Sequence, residues 1–143
     1  MVCRGYSGYN SRWVRQVVPS VVDQPEGGTV TRLVTIFFGA NDASLPAHNF
    51  RQHVPLAEYR ENLVAIAAAL RKQCPAAALL FVTPPPLDEA TYLQQRFAGD
   101  PPVLSRTNAV AGEYAAAVEA VAAEVGAPCV NLWQGMQEAA PDG

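Results

Sequence analysis

Short apolar runs alternate with longer segments of helical periodicity along this chain of 143 residues. Residues 30–38 combine β-branched and large apolar side chains and end at Gly39, which predicts a strand buried on both faces. Residues 79–82 and 129–132 predict two shorter strands, the first of which stops at a run of prolines. Residues 1–3 have the composition of the tail of another strand. The apolar pattern therefore predicts a sheet of short strands.

Helical spacing fills the segments between these strands. Apolar residues recur every three or four positions in residues 12–22, 56–73 and 108–125, which predicts three amphipathic helices. Ser11 has the chemistry of an N-cap for the first of them, and Pro19 is expected to kink or end that helix. The clearest apolar face, in the second helix, consists of Tyr59, Leu63, Ile66 and Leu70.

Three further segments show weaker patterns. Residues 43–55 are polar and contain both histidines, which indicates either an excursion near an active site or a plain surface loop. Residues 90–102 are expected to be irregular, and residues 133–139 predict a short helical turn. Strands too short to stand alone, alternating with helices, are typical of parallel βαβ units. The predicted fold class is therefore α/β, with residues 1–143 in one domain.

Composition narrows the possible partners and compartment. The formal net charge is −3, and no apolar run reaches the about 18 residues that a membrane span needs, so neither nucleic acid nor a membrane is favoured as a partner. Cys3, Cys74 and Cys129 are odd in number, widely spaced and set among apolar residues, which indicates buried thiols rather than a metal site. With no signal-peptide pattern after Met1, we expect a cytoplasmic location.

Polar residues of a kind used in catalysis follow the longest predicted strand. Gly39, Asn41 and Asp42 lie where that strand ends, and ligand-binding loops of open α/β sheets gather at the carboxyl ends of parallel strands. The same residue types also favour a simple turn. These few residues alone leave both interpretations open.

Other candidate side chains fit a structural role better than a catalytic one. Ser7 lies in the string GYSGY, which departs at its last position from the Gly-x-Ser-x-Gly pattern of a nucleophile elbow, so a turn serine is favoured. His48 and His53 are expected to be solvated or hydrogen-bonded, with ligand contact as the alternative. Asp88 and Glu89 resemble paired carboxylates, but adjacent loop residues rarely face one substrate together.

Six strings, taken together, carry a resemblance to a known family. They are RGYSGYNSRW (4–13), VTIFFGANDAS (34–44), QHVPLAEYRENL (52–63), TPPPLDE (83–89), NAVAGEYA (108–115) and NLWQGMQ (131–137). In order and spacing they resemble the isoamyl acetate-hydrolysing esterase branch of the GDSL, or SGNH, hydrolases, over essentially the whole chain. The resemblance implies a three-layer α/β/α fold with a flavodoxin-like parallel sheet, here lacking the first strand and the C-terminal helix.

The resemblance also implies a set of site residues. Gly8 matches the glycine whose backbone N–H enters the oxyanion hole, and Asn41 matches the asparagine whose side-chain amide does the same. Asp142 matches the aspartate that orients the catalytic histidine. The family's serine block lies upstream of the segment where this sequence begins, and the sequence stops at Gly143, before the histidine. We therefore expect a chain truncated at both ends that lacks the nucleophile and the base.

Three hypotheses follow for the function. In the first, the full-length parent is an ester hydrolase that cleaves small acetate-type esters with a Ser-Asp-His triad and needs no cofactor or metal. Its partner is then a small-molecule ester. In the second, the chain is a catalytically inactive relative that binds a ligand or a partner. In the third, it is an unrelated α/β module in which the GAND string is only a turn.

Overall fold

The computed structural model describes residues 2–21, 30–95 and 101–139. Its three strands are β1 (Leu33–Phe37), β2 (Ala78–Val82) and β3 (Cys129–Val130), which form a parallel sheet in the order β1-β2-β3. The helices are α1 (Ser11–Val21), α2 (Pro46–Asn49), α3 (Leu56–Gln73), α4 (Glu89–Leu93), α5 (Asn108–Glu124) and α6 (Leu132–Ala139). The parallel α/β architecture predicted from the sequence is thus confirmed.

One face of the sheet carries the hydrophobic core. Ile36 of β1 and Leu79 and Phe81 of β2 point to this face and are almost fully buried. They belong to one apolar cluster with buried side chains of α1, α3 and α5. In this cluster Leu63 of α3 and Val118 of α5 are each only 1% exposed. Burial of each such side chain stabilises the fold by about 1.5–3 kcal/mol. The core therefore fixes the helices over one side of the strands.

The prediction that the first strand is buried on both faces is wrong. Leu33 and Phe37 are 54% and 51% exposed, and β1 covers five residues rather than the nine of residues 30–38. Among the described residues, β1 pairs only with β2, and the core helices cover only the face that carries Ile36. The alternate side chains of β1 therefore point away from the core.

The long helices largely follow the predicted pattern. Helix α3 has the predicted bounds, and the four residues of its predicted apolar face are buried. Helix α5 ends one residue earlier than predicted, at Glu124. Ser11 is the first residue of α1 rather than its cap, since the backbone N–H of Trp13 donates to Oδ1 of Asn10 at 3.0 Å. Pro19 lies inside α1 without ending it, because the helix continues to Val21.

Short elements account for most of the remaining differences from the sequence-based prediction. Helix α2 begins at Pro46 inside the segment expected to be a loop, and α4, which begins at Glu89, occupies the first residues of the segment 90–102 expected to be irregular. Helix α6 has eight residues and is more than a turn. Residues 2–3 are not in a strand, and Met1 lies outside the described residues.

Two compositional expectations can be compared with the structure. Cys74 is buried and Cys129 partly buried, but Cys3 is exposed, so the expectation of three buried thiols is wrong for Cys3. This cysteine precedes the first helix and has no element of the core packed over it. None of the helices in the described ranges is both long enough and apolar enough to span a membrane.

Candidate active site

The first predicted site residue, Gly8, lies in a tight turn just before α1. The backbone N–H of Tyr9 donates to the carbonyl oxygen of Tyr6 at 3.2 Å, which places Gly8 at the third position of the turn. Its φ of +78° is one that a residue with a Cβ rarely adopts. Within the part of the chain that the structure describes, the N–H of Gly8 has no acceptor. The turn thus presents a backbone donor that is free to bind another group.

The second predicted residue, Asn41, lies in the loop that follows β1. We call residues 39–44 the GAND loop. The N–H of Ala43 donates to the carbonyl oxygen of Gly39 at 2.8 Å, and the N–H of Ser44 donates to that of Asn41 at 3.1 Å. The loop is therefore a hydrogen-bonded turn, as one of the two interpretations expected. It also holds the Asn41 side chain at the carboxyl end of the strand, as the other expected.

The side chain of Asn41 is bonded at both ends of its amide. Its Nδ2 donates to the backbone carbonyl oxygen of Tyr9 at 2.8 Å, and its Oδ1 accepts from Nη2 of Arg106 at 3.0 Å. Because Tyr9 directly follows Gly8, the first bond joins the GAND loop to the glycine turn. The structure thus brings Gly8 and Asn41 together from positions 33 apart in the sequence.

Two residues that the sequence did not indicate complete this network. The Nε2 of Gln52 donates to the carbonyl oxygen of Gly8 at 2.9 Å, and its Oε1 accepts from Nη2 of Arg106 at 2.8 Å and from Nδ2 of Asn49 at 2.6 Å. The Nε of Arg106 also donates to the carbonyl oxygen of Ala40 at 2.8 Å. Arg106 and Gln52 therefore connect both predicted oxyanion residues. Gln52 begins one of the six strings that carry the resemblance, but nothing in that string marks it as a site residue, and Arg106 lies outside all six strings.

Asp42, the next residue of the GAND loop, is a buried carboxylate that binds the start of α1. Its side chain is fully buried, and its Oδ1 accepts from the backbone N–H of Ser11, the first residue of α1, at 2.8 Å. A carboxylate at a helix N-terminus interacts favourably with the helix dipole. Burial nevertheless raises the pKa of Asp42, partly offset by the bonds from Ser11. Asp42 thus ties the GAND loop to α1 and thereby to the glycine turn that precedes the helix.

A polar network between α1 and α3 stiffens the same region. The Nδ2 of Asn62 donates to Oγ of Ser11 at 3.1 Å, and Oδ1 of Asn62 accepts from Arg15 at 3.1 Å. Nearby, Arg12 donates through Nε and Nη2 to the two carboxylate oxygens of Glu58, and this bidentate pair lowers the pKa of Glu58. The helix that begins at the glycine turn is therefore held against α3 by polar as well as apolar contacts.

An apolar cavity of about 80 Å³ lies beside Asn41. Ala40 and Ala43, which flank Asn41 in the GAND loop, form one wall, and Arg106 with Thr107 closes another side. The remaining wall consists of Pro84, Pro85, Pro86, Leu87 and Ala111. Prolines lack a backbone N–H, so this part of the wall adds few donors. The cavity is suited to a small apolar group.

The other candidates of the sequence take structural positions. Ser7 is exposed in the glycine turn. His48 is exposed in α2, whereas Nδ1 of His53 lies 2.6 Å from the carbonyl oxygen of Ser44 and is hydrogen-bonded to it. Asp88 and Glu89 act separately, since Asp88 accepts from the N–H of Thr91 as the cap of α4 and Glu89 accepts from the N–H of Asn108. Across the described ranges, no group of three His, Cys, Asp or Glu side chains could hold a metal ion.

Asp142, the predicted orienting acid, lies outside the described residues. Among the described residues, the site therefore consists of two donors, the network that joins them and an adjacent apolar cavity. Such an arrangement can bind a small, negatively charged oxygen next to an apolar substituent.

The sequence also matches known proteins. Residues 1–143 match the family described as the GDSL-like lipase/acylhydrolase family. A GDSL esterase/lipase of Arabidopsis thaliana is 46% identical over 96% of this chain and 59% of that protein. An isoamyl acetate-hydrolyzing esterase 1 homolog of Bos taurus is 43% identical over 97% of this chain and 56% of that protein. The chain thus spans somewhat more than half the length of these relatives.

Solved structures agree on the fold. A lipase/acylhydrolase from Enterococcus faecalis superposes with a TM-score of 0.65 at 24% identity, over 91% of this chain and 54% of that one. At this identity the likeness extends to the fold alone. Together with the match of the whole sequence, it leads to one conclusion: the chain belongs to the GDSL-like lipase/acylhydrolase family.

Proposed function

We propose that these residues form the oxyanion-binding part of a carboxylic ester hydrolase of the GDSL type. The observation that carries the proposal is the pairing of a free backbone N–H at Gly8 with the fixed side-chain amide of Asn41. An amide nitrogen has two hydrogens, so Asn41 can donate one to Tyr9 and the other to a ligand. Two donors held in advance are what a tetrahedral intermediate of acyl transfer requires.

In this proposal the chemical steps follow the Ser-Asp-His pattern. The serine oxygen attacks the ester carbonyl carbon while the histidine takes its proton, and the carbonyl oxygen becomes the oxyanion that Gly8 and Asn41 stabilise. Collapse of the intermediate expels the alcohol, which receives that proton, and water then releases the acid by the same two steps. Asp142 orients the histidine. We assign neither the serine nor the histidine to a residue of the 143.

The size of the cavity beside Asn41 supports the proposal that the ester substrate has a small acyl group. Its volume of about 80 Å³ and its wall of alanine, proline and leucine side chains fit an acetyl-sized or slightly larger apolar group. The names of the cattle and other mammalian relatives, which refer to isoamyl acetate, agree with an acetate-type ester. The free thiols Cys3, Cys74 and Cys129 support a reducing compartment such as the cytoplasm.

The proposal is tested by comparing the 143-residue chain with a chimaera. In the chimaera these residues replace the matching segment of the cattle homolog, so that the whole family domain is present. We expect the chimaera to hydrolyse p-nitrophenyl acetate and the 143-residue chain to show no turnover above buffer. A folded chimaera without activity would contradict the proposal and favour the inactive, binding relative. Retained specific binding of acetate esters by that chimaera would support this second hypothesis further.

A further inference from the structure

We propose that Arg106 is a positioning residue that fixes the direction of the Asn41 amide and couples it to the Gly8 turn. This inference rests on the proposed function, because the orientation of the Asn41 amide matters only if its Nδ2 donates to an oxyanion. The guanidinium of Arg106 donates to oxygen atoms of Ala40, Asn41 and Gln52, so it is not itself one of the two proposed oxyanion donors. It acts through the side chains of Asn41 and Gln52.

The partners of Asn41 leave only one orientation for its amide group. A guanidinium has donors and no acceptor, so the atom of Asn41 that faces Arg106 must be the carbonyl oxygen Oδ1. The backbone carbonyl of Tyr9 has acceptors and no donor, so the atom that faces it must be Nδ2. Both contacts therefore select the same orientation. A rotation of the amide by half a turn would lose both hydrogen bonds and place an acceptor where the oxyanion needs a donor.

The same guanidinium also reaches the glycine turn. Its Nη2 donates to Oε1 of Gln52, which forces the Nε2 of Gln52 toward the opposite side. That Nε2 donates to the carbonyl oxygen of Gly8 at 2.9 Å. Arg106 thus determines the direction of two amides, one that carries a proposed oxyanion donor and one that holds the turn of the other donor. Its positive charge also favours negative charge that develops nearby.

Arg106 is itself held in place by its neighbours. The backbone N–H of Leu45, at the end of the GAND loop, donates to the carbonyl oxygen of Ser105 at 2.8 Å. On the other side, Thr107 caps α5 by accepting from the N–H of Val110. The guanidinium makes a third contact with the carbonyl oxygen of Ala40. An arginine anchored on both sides of its backbone loses little freedom when it positions another group.

The test combines kinetics of the chimaera with a spectroscopic measurement on the 143-residue chain. In the chimaera, Arg106→Gln should lower kcat for p-nitrophenyl acetate by about tenfold or more, with little change in KM, since only the stabilisation of the oxyanion is impaired. Asn41→Ala should lower kcat by about 10²- to 10³-fold. Arg106→Gln should lower kcat less in the Asn41→Ala background than in the parent, because only the effect that passes through Gln52 and the Gly8 turn remains there. Arg71→Gln, which removes a distant arginine that donates to the carbonyl of Val125, is the matched control and should leave kcat unchanged.

A second measurement, by NMR, does not depend on turnover. In the 143-residue chain, the Asn41 Nδ2 proton that is donated to the carbonyl oxygen of Tyr9 should give an NMR signal that exchanges slowly with solvent. Arg106→Gln should speed that exchange several-fold, and Arg71→Gln should not. If Arg106→Gln changes neither the NMR signal of Asn41 nor kcat, the inference is wrong. It is also wrong if Arg106→Gln lowers kcat by the same factor in the parent chimaera and in the Asn41→Ala chimaera. If Asn41→Ala leaves kcat unchanged in an active chimaera, the proposed oxyanion role of Asn41 is wrong. That outcome is distinct from a failure of the Arg106 inference, in which Asn41→Ala lowers kcat but Arg106→Gln does not.

Discussion

The loops that follow β1 and β2 leave the same edge of the parallel sheet but use opposite chemistry. The GAND loop directs Asn41 and Asp42 into hydrogen bonds with the glycine turn and with α1. The loop of residues 83–87, which we call the proline loop, contains three prolines and forms one wall of an apolar cavity. The two strand ends thus make unequal contributions, since the GAND loop supplies the hydrogen-bonding side chains whereas both loops line the cavity.

The largest expected effect comes from Gly39→Ala, which disturbs both loops at once. The added methyl carbon would lie 2.8 Å from the hydroxyl of Tyr59 and 3.0 Å from Cγ of Pro84 in the proline loop. The φ of +124° adds strain of about 1–3 kcal/mol for any residue with a Cβ. In urea unfolding of the 143-residue chain, we expect a loss of at least about 2 kcal/mol.

The control for this prediction is Gly135→Ala in α6. A methyl group there would meet no atom within 4 Å, so the change should be neutral or stabilise the helix by up to about 1 kcal/mol. Equal unfolding midpoints for the Gly39 and Gly135 variants would contradict the description of the first loop.

The proline loop should control the choice of acyl group. Leu87→Ala widens the cavity beside Asn41, so the chimaera should accept a longer acyl chain. Two additional buried methylenes are worth about 0.8 kcal/mol each, so kcat/KM for the p-nitrophenyl butyrate ester relative to the acetate should rise by about tenfold. Leu93→Ala, at a half-exposed position of α4 away from the cavity, should leave the ratio unchanged. An unchanged ratio for Leu87→Ala would show that this cavity does not hold the acyl group of the ester.

A smaller effect distinguishes Asp42 of the GAND loop from Asp88, which directly follows the proline loop and caps α4. Burial raises the pKa of Asp42, so its contribution to the free energy of unfolding is complete below the ordinary value of 3.8 and is lost as the pH rises through the folded-state pKa. Bonds from Thr91 lower the pKa of the exposed Asp88, so its contribution is present above 3.8 and is lost as the pH falls through the folded-state pKa.

These opposite signs can be measured with matched variants. Urea unfolding of the wild type, Asp42→Asn and Asp88→Asn over about pH 3 to 7 gives the difference in free energy at each pH. The difference should move in favour of Asp42→Asn as the pH rises and in favour of Asp88→Asn as the pH falls. Slopes of the same sign would show that the burial of Asp42 does not dominate its titration.

The sequence predicts the elements whose residues repeat with a clear period. Helix α3 was predicted with its correct bounds because Tyr59, Leu63, Ile66 and Leu70 form an uninterrupted apolar face. Helix α2 was missed because four residues are too few to show a period. The burial of β1 was overestimated because an apolar run indicates that a strand can be covered on both faces, not that both faces are covered.

The site was predictable only in part, for a related reason. Gly8 and Asn41 belong to recognisable strings, and the structure brings these two residues together. Arg106 lies outside these strings and Gln52 has no sign of a site role within its string, because their importance lies in contacts between residues 44 or more positions apart in the sequence. A guanidinium in a loop has many possible partners, and only the folded backbone selects among them. The role of Asp142 stays a prediction, since this residue lies outside the described part of the chain.

The oxyanion role of Asn41 is tested by comparing the kcat of the chimaera that carries Asn41→Ala with the kcat of the chimaera that carries Asn131→Ala. Asn131 is the matched control because it also follows a strand, β3, and its Oδ1 accepts from the N–H of Gln134 at the start of α6, away from Gly8. We expect kcat to fall by about 10²- to 10³-fold for Asn41→Ala and to stay unchanged for Asn131→Ala. An Asn41→Ala chimaera with the kcat of the parent would contradict the claim that this amide stabilises the oxyanion.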